Sequence, residues 1–345
     1  MIVFFRLNAI ILITVLFISC RTGKESALAS EKPAVAVFID SVEASKAIIH
    51  DDIDDFFKNI SSRDIEIQMK RTTSFQSREV ALIAYKDFLS TQVSNWTTDE
   101  KSAILSLLIE AKRLCDLQSP RLFPQGLRFI KIKTGHYGND VFYTRGRNIC
   151  IPENIFSMKD SSRYLPVMIH EVFHVISRYN PSLRNDLYRL IGFEVSSKPI
   201  IPSNGLKDWM LTNPDGVVHR HFLEVRASDS IYRIVPVITA KLKSFKPSQP
   251  AFFDYLSFDL YTLKENPSSF EIISDETGKT TLPLEASTGF FNAIKDNTQY
   301  IIHPEEIMAD NFMLALLAAD KNEYSKFSST GKELIEKVLY RLSKE

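Results

Sequence analysis

The spacing of apolar positions changes period along the chain, and each change marks an element. Ile2 to Ile18 is apolar almost throughout, broken only by Arg6, Asn8 and Thr14, and it stops at Ser19-Cys20. A run so short and lopsided predicts an export signal over residues 1–19, not a membrane span. Residues 20–35 are small, polar and charged, which predicts a flexible tether. From Ser41 to Ile67 and from Ser74 to Trp96 the spacing is helical, with Val80, Ile83, Ala84 and Phe88 on one stripe. Thr97 and Glu100 then form a capping-box pattern that opens a helix through Leu117.

The period next falls to two. "LRFIKIK" (127–133), "DVFYT" and "NICIP" on either side of Arg145-Gly146, and "FDYLSFDLYTL" (253–263) read as strands, and "VVHRHFLEV" (217–225) with "IYRIVPVI" (231–238) as a hairpin. Helical spacing returns from Pro166 to about Arg178, stopped by Asn180-Pro181, again in "HPEEIMADNFMLALLAA" after His303-Pro304, and finally over 328–343. The pattern predicts an α+β fold, with residues 36–345 forming one domain whose N-terminal third is mostly helical.

Charge narrows the partners. The 42 basic residues balance the 42 acidic ones, which excludes a polyelectrolyte ligand and argues against nucleic acid. The junction Phe17-Ile18-Ser19-Cys20, with Phe17 where Leu is usual, resembles a bacterial lipobox. That resemblance implies lipid on Cys20 and a body held at a membrane in the cell envelope; an uncleaved anchor would place it similarly. An exported compartment permits Cys115 and Cys150 to pair. Their settings, one on a helix and one between Ile149 and Ile151 in a strand, favour two separate buried thiols.

The chemistry is concentrated in "VMIHEVFHVIS", Val167 to Ser177. Residues i and i+4 of a helix share a face, so His170 and His174 can aim at one ion. Glu171 lies about 100° round the helix, near enough to act on a metal-activated water without ligating the metal. Val167, Met168, Val172, Phe173, Val175 and Ile176 make the helix apolar nearly all round, so a charged Glu171 there needs a reason. Zinc in such a site brings the pKa of a bound water to roughly 7, and a carboxylate that takes its proton completes a hydrolytic centre.

A catalytic zinc takes a third protein ligand and keeps one position open. Asn180 stands where a metzincin has its third histidine. Glu194 and Glu306 compete for the role. Glu306 is favoured, because it opens a helix with Asp310 one turn behind it, placed to orient a ligand histidine.

The pair His170-Glu171-x-x-His174 and Glu306-x-x-x-Asp310 resembles the gluzincins, the thermolysin-like clan of zinc metallopeptidases, over those two helices only. The resemblance implies a zincin-like fold, with a mixed or antiparallel sheet on the motif helix. It makes His170, His174 and Glu306 the zinc ligands, Glu171 the general base and Asp310 a histidine's partner. The substrate would be a peptide or protein, held against an edge strand in "YTRGRNICIP". Gluzincins also use a tyrosine or histidine to stabilise the oxyanion. His219 and His221 are candidates, on one face if their segment is a strand, and Tyr143 and His303 are others. Asn213-Pro214-Asp215-Gly216 reads as a turn. The rival reading is a non-catalytic lipoprotein that keeps the scaffold as a binding module.

Overall fold

The helical spacing of the N-terminal third is realised in short pieces. After a three-residue strand, Ala36–Phe38 (β1), come helices Ser41–Ala47 (α1), Phe56–Asn59 (α2), Ser62–Gln68 (α3) and Arg78–Thr91 (α4). Asp40, Ser61 and Ser77 start three of them by accepting first-turn N–H groups. Val93–Ser94 (β2) leads into Thr98–Gln118 (α5), whose capping box between Thr97 and Glu100 is complete. This computed structural model describes residues 36–345 other than 52, 54, 158–161 and 228; the signal, the tether and Cys20 lie outside the described residues.

Leu127–Ile132 (β3), Tyr143–Arg145 (β4) and Asn148–Pro152 (β5) build the first sheet, in the order β1-β3-β5-β4. β3 is parallel to β1 and β5, while β4 runs antiparallel to β5 and forms an edge. Both faces of β3 are covered, Leu127 and Phe129 by one core and Ile130 and Ile132 by another, which is why its sequence is so continuously apolar. Lys131 is tolerated inside because Glu100 meets it at 2.6 Å.

Leu165–Tyr179 (α6) and Pro181–Leu190 (α7) follow, and then the second sheet. Its strands are Phe193–Val195 (β6), Ile200–Pro202 (β7), His221–Ala227 (β8), Ser230–Ala240 (β9), Leu256–Glu265 (β10) and Phe270–Ile272 (β11), with the short helix Asn204–Lys207 (α8) after β7. They lie in the order β6-β8-β9-β10-β11-β7, antiparallel except for β11 and β7. Leu284–Ile294 (α9), Pro304–Lys321 (α10) and Ser329–Leu342 (α11) complete an α+β architecture.

Two strand starts differ from the sequence reading. The hairpin begins at His221, not at 217, so His219 stands in the loop before it. The next strand begins at Leu256, because Phe252–Tyr255 winds into a 3-10 turn. Helix α9 carries a helix-weakening glycine at 289 because its backbone packs on β8: a Cβ there would come within 2.9 Å of Val225. Cys115 and Cys150 are free and buried in different cores. Among the described residues no helix is long and apolar enough to cross a membrane.

Buried histidine ties this packing to pH. His136 is 3% exposed, its Nε2 lies 3.0 Å from the Tyr143 hydroxyl, and burial pushes its pKa down to about 3. An unfolded histidine takes up its proton near pH 6.5, so the stability due to the neutral ring is complete above that value and is lost as pH falls toward 3. Between pH 6.5 and 5.5 the wild type is expected to lose about 1 kcal/mol more than His136→Phe, read from denaturant unfolding of metal-free protein. Equal losses would mean that His136 protonates in the fold as readily as in the unfolded chain.

Candidate metal centre

Helix α6 is buried on most of its circumference, and the polar residues it carries inside are Glu171, His174 and Ser177, with His170 at the border. The i, i+4 spacing sets the two imidazoles 4.7 Å apart between centroids. Helix α10 packs against α6. Its first turn presents Glu305 and Glu306, and His303 starts it, its Nδ1 accepting from the Glu305 N–H at 3.1 Å.

Glu306 Oε2 lies 3.0 Å from His170 Nε2 and 3.6 Å from His174 Nε2. The rings point there because each is held from behind. His170 Nδ1 is 2.8 Å from Asp310 Oδ1, and His174 Nδ1 is 2.9 Å from Glu305 Oε1. These backing carboxylates are fixed in turn, Asp310 by the Thr298 hydroxyl and Glu305 by the hydroxyls of Ser177 and Tyr188. The second oxygen of Glu306 accepts from Asn213 Nδ2 at 2.7 Å. A carboxylate on Nδ1 orients an imidazole and raises the basicity of its Nε2, the arrangement metal-binding histidines use.

The donors fit a divalent ion. One nitrogen of each histidine and one oxygen of Glu306 lie within 4.8 Å of one another. His174 Nε2 is buried without a hydrogen-bond partner. Such an orphan costs about 1–3 kcal/mol, which coordination would remove. Two imidazoles and a carboxylate suit a transition-metal ion. Electrostatics point the same way. Burial works against charge on His170, yet Asp310 and Glu306 outweigh it and hold the ring well above its ordinary pKa. Burial would raise Glu306, but His174 and His170 hold it down.

Glu171 sits beside this group, 3% exposed, its Oε2 accepting from Thr144 Oγ1 at 2.8 Å. Burial, then the neighbouring Asp215, push its carboxyl up to about 7. A cleft of about 360 Å³ opens over His170, Glu171 and Glu306, walled by Phe142, Phe253, Tyr300 and Met313. The Tyr300 ring stacks on His170 at 6.0 Å. Although 37% of Tyr300 is exposed, burial of its phenol and the carboxylates of Glu306, Asp215, Glu171 and Asp310 around it raise its pKa well above the usual value.

Of the rival third ligands, the fold brings Glu306 to the histidines and leaves Glu194 exposed on β6, 3.4 Å from Arg189. His219 and His221 are not brought to the cleft. They do not share a strand face, since β8 starts only at His221, and their nitrogens are engaged elsewhere. His219 Nε2 meets the Pro236 carbonyl oxygen at 2.9 Å, and His221 Nε2 meets Asn185 Oδ1 at 2.9 Å, its ring edge-on to Tyr188. Tyr143 bonds His136, and His303 caps α10. The residues missed by sequence reasoning are Glu305, Thr144, Asn213, Asp215 and Tyr300. Glu305 left a signal in its place beside Glu306, and Thr144 in the run read as an edge strand.

Comparison with known proteins adds no family: no family model, no curated protein and no solved structure matches the chain.

The backing carboxylates give a measurable consequence. Glu305→Gln and Asp310→Asn are each expected to weaken metal binding 10–100-fold, Glu306→Ala still more, and Glu194→Ala not at all, by competition with a chromophoric chelator. Loss of metal on Glu194→Ala alone would move the third donor.

Proposed function

We propose that the chain is a zinc-dependent peptidase of zincin-like fold, held at the outer side of a membrane by lipid on Cys20. The observation that carries this reading is the convergence of His170 Nε2, His174 Nε2 and Glu306 Oε2, each imidazole backed by a carboxylate, with Glu171 beside them in an open cleft. Helix α6 lies next to an edge strand, β4, which is the arrangement a zincin needs to hold an extended peptide.

When bound, zinc supplies a Lewis acid that polarises a carbonyl and acidifies water. His170, His174 and Glu306 would hold it and leave a position facing the cleft. Glu171 is the general base. Thr144 fixes its Oε2, which leaves Oε1 to take the proton of the attacking water and to pass it to the departing amine. A carboxyl whose pKa is raised by burial both accepts and releases that proton near neutral pH. Tyr300 stands at the cleft wall against His170, where its O–H can donate to the oxygen of the attacked carbonyl as charge develops on it. Phe142, Phe253 and Met313 give the cleft apolar walls that suit side chains of a peptide and exclude water. Export and lipid attachment rest on the apolar run ending at Ser19-Cys20.

With quenched fluorescent peptides as substrates, Glu171→Gln is expected to lower kcat/KM by about 10³–10⁴ with one zinc per chain retained, and Tyr300→Phe by about 10². Full activity in Glu171→Gln would remove Glu171 from its role. In cell fractions, Cys20→Ser is expected to release the protein from the membrane; unchanged partitioning would mean that the apolar run itself is the anchor.

A further inference from the structure

We infer that the loop Asn213–Gly216 is a self-inhibitory strap, with Asp215 filling the place on β4 that an extended peptide would occupy; the inference rests on the peptidase reading. The pairing of β4 with β5 uses Tyr143 and Arg145, so the N–H and C=O of Thr144 face the free edge. Those two groups are what a peptide added as a further strand would bind. Both are already taken. Thr144 N–H donates to Asp215 Oδ1 at 2.6 Å, and the Thr144 carbonyl accepts from Arg178 Nη2 at 3.4 Å. Arg178 Nη2 also donates to the Asp215 carbonyl at 3.3 Å, tying strand and loop together.

The loop reaches the metal centre as well. Asn213 holds Glu306, and one oxygen of Asp215 lies within 4.8 Å of donor atoms of both Glu171 and His174. The strap thus spans the cleft from the third metal donor to the substrate edge. A carboxylate among the carboxylates of Glu171 and Glu306 is repelled, which argues that Asp215 is there for a purpose other than stability. Gly216 makes the path possible, since a Cβ there would run into the His303 ring.

The strap is bounded and has room to move. Thr212 N–H is fixed on Asp64 Oδ2 at 2.7 Å, and His219 on the Pro236 carbonyl, so only the residues between them are released together. Their other side faces a cavity of about 200 Å³ that Asp215 also lines, with Arg184 and Arg220 in its wall. Arg184 Nε is buried without a partner. A carboxylate that leaves the acidic cleft has a cationic place to rest, which gives the loop two arrangements, one closed and one open.

The test uses the zinc-loaded full chain in detergent and a tripeptide hydroxamate as the probe, titrated calorimetrically. Asp215→Ala is expected to bind the probe at least ten-fold more tightly than the wild type. Asp215→Asn, which keeps an acceptor for the Thr144 N–H, is expected to stay within about three-fold of the wild type. Hydrogen exchange of the Thr144 amide in metal-free protein reads the strap without any metal, and should quicken at least ten-fold in Asp215→Ala and stay slow in Asp215→Asn. Quickened exchange with unchanged probe affinity, in proteins that all hold zinc, overturns the strap alone. Failure of every variant and the wild type to hold zinc sinks the peptidase reading and the strap with it.

Discussion

Two carboxylates standing behind two imidazoles, Glu305 buried and Asp310 half-buried, are what the rest of the centre depends on. Without Asp310 and Glu305 on their Nδ1 atoms, His170 and His174 would have no reason to turn both Nε2 atoms toward one oxygen of Glu306. Each buried charge costs several kcal/mol unless it is paired and fully hydrogen-bonded. Ser177 and Tyr188 on helices and Thr298 and Asn213 on loops meet that demand, with one or two donors to each acid. Five carboxylates, those of Glu171, Asp215, Glu305, Glu306 and Asp310, nonetheless face only two imidazoles. Acid in excess explains the directions of titration. Glu171 and Asp215, the two least compensated, are pushed up; Glu305 and Glu306, which touch the rings, are held down; and His170 is held up. A cation held by His170, His174 and Glu306 would offset that excess of acid.

How much of this was legible depended on whether a relation lies within one element or between two. The spacings His170 to His174 and Glu306 to Asp310 are properties of single helices, and a 3.6-residue period reveals them before any packing is known. Glu305 is one residue from Glu306, but its partnership with His174 depends on which side of α10 meets α6, and period alone does not give that. The Asn213–Gly216 segment, read as a turn, is a bend over 214–216, and turn chemistry says nothing about what it lies against. His219 and His221 mislead for a related reason. Strand alternation puts them on one face only if the strand includes both, and β8 begins at the second of them. Tyr300 left no pattern at all, because it comes from the irregular approach to α10 and reaches the cleft only through the tertiary fold. The same limit hid β1 and β2, whose two or three residues are too few for a period of two to register.

The first sheet fixes the other half of the cleft. β3 is buried on both faces, so a slip of one residue would take Leu127 and Phe129 out of one core and Ile130 and Ile132 out of the other, and β5 and β4 are laid down against a support held in register by that packing. That register decides that the outward groups of β4 belong to Thr144, and that its hydroxyl meets Glu171 on α6. Thr144 therefore does two things at once: its side chain holds Glu171, and its backbone faces the free edge of β4, the pair of roles the proposed peptidase would need. Any ligand pairing with that edge is automatically in register with Glu171.

Rigid and movable parts are accordingly separated. Metal donors and their backing acids sit on α6 and α10, elements whose inner faces are packed in a single core. Asp215 is carried instead on a loop held at both ends by Thr212 and His219. Among the described residues, the hydrogen bond from that loop to a donor is the one from Asn213 to Glu306, and it engages Oε1 while the histidines face Oε2. Movement of Asp215 can therefore open or close the edge of β4 without disturbing the geometry at Oε2. Under the proposed strap, access to the cleft and retention of an ion would be separable properties, because Asp215 is carried on a loop while the candidate donors sit on two packed helices.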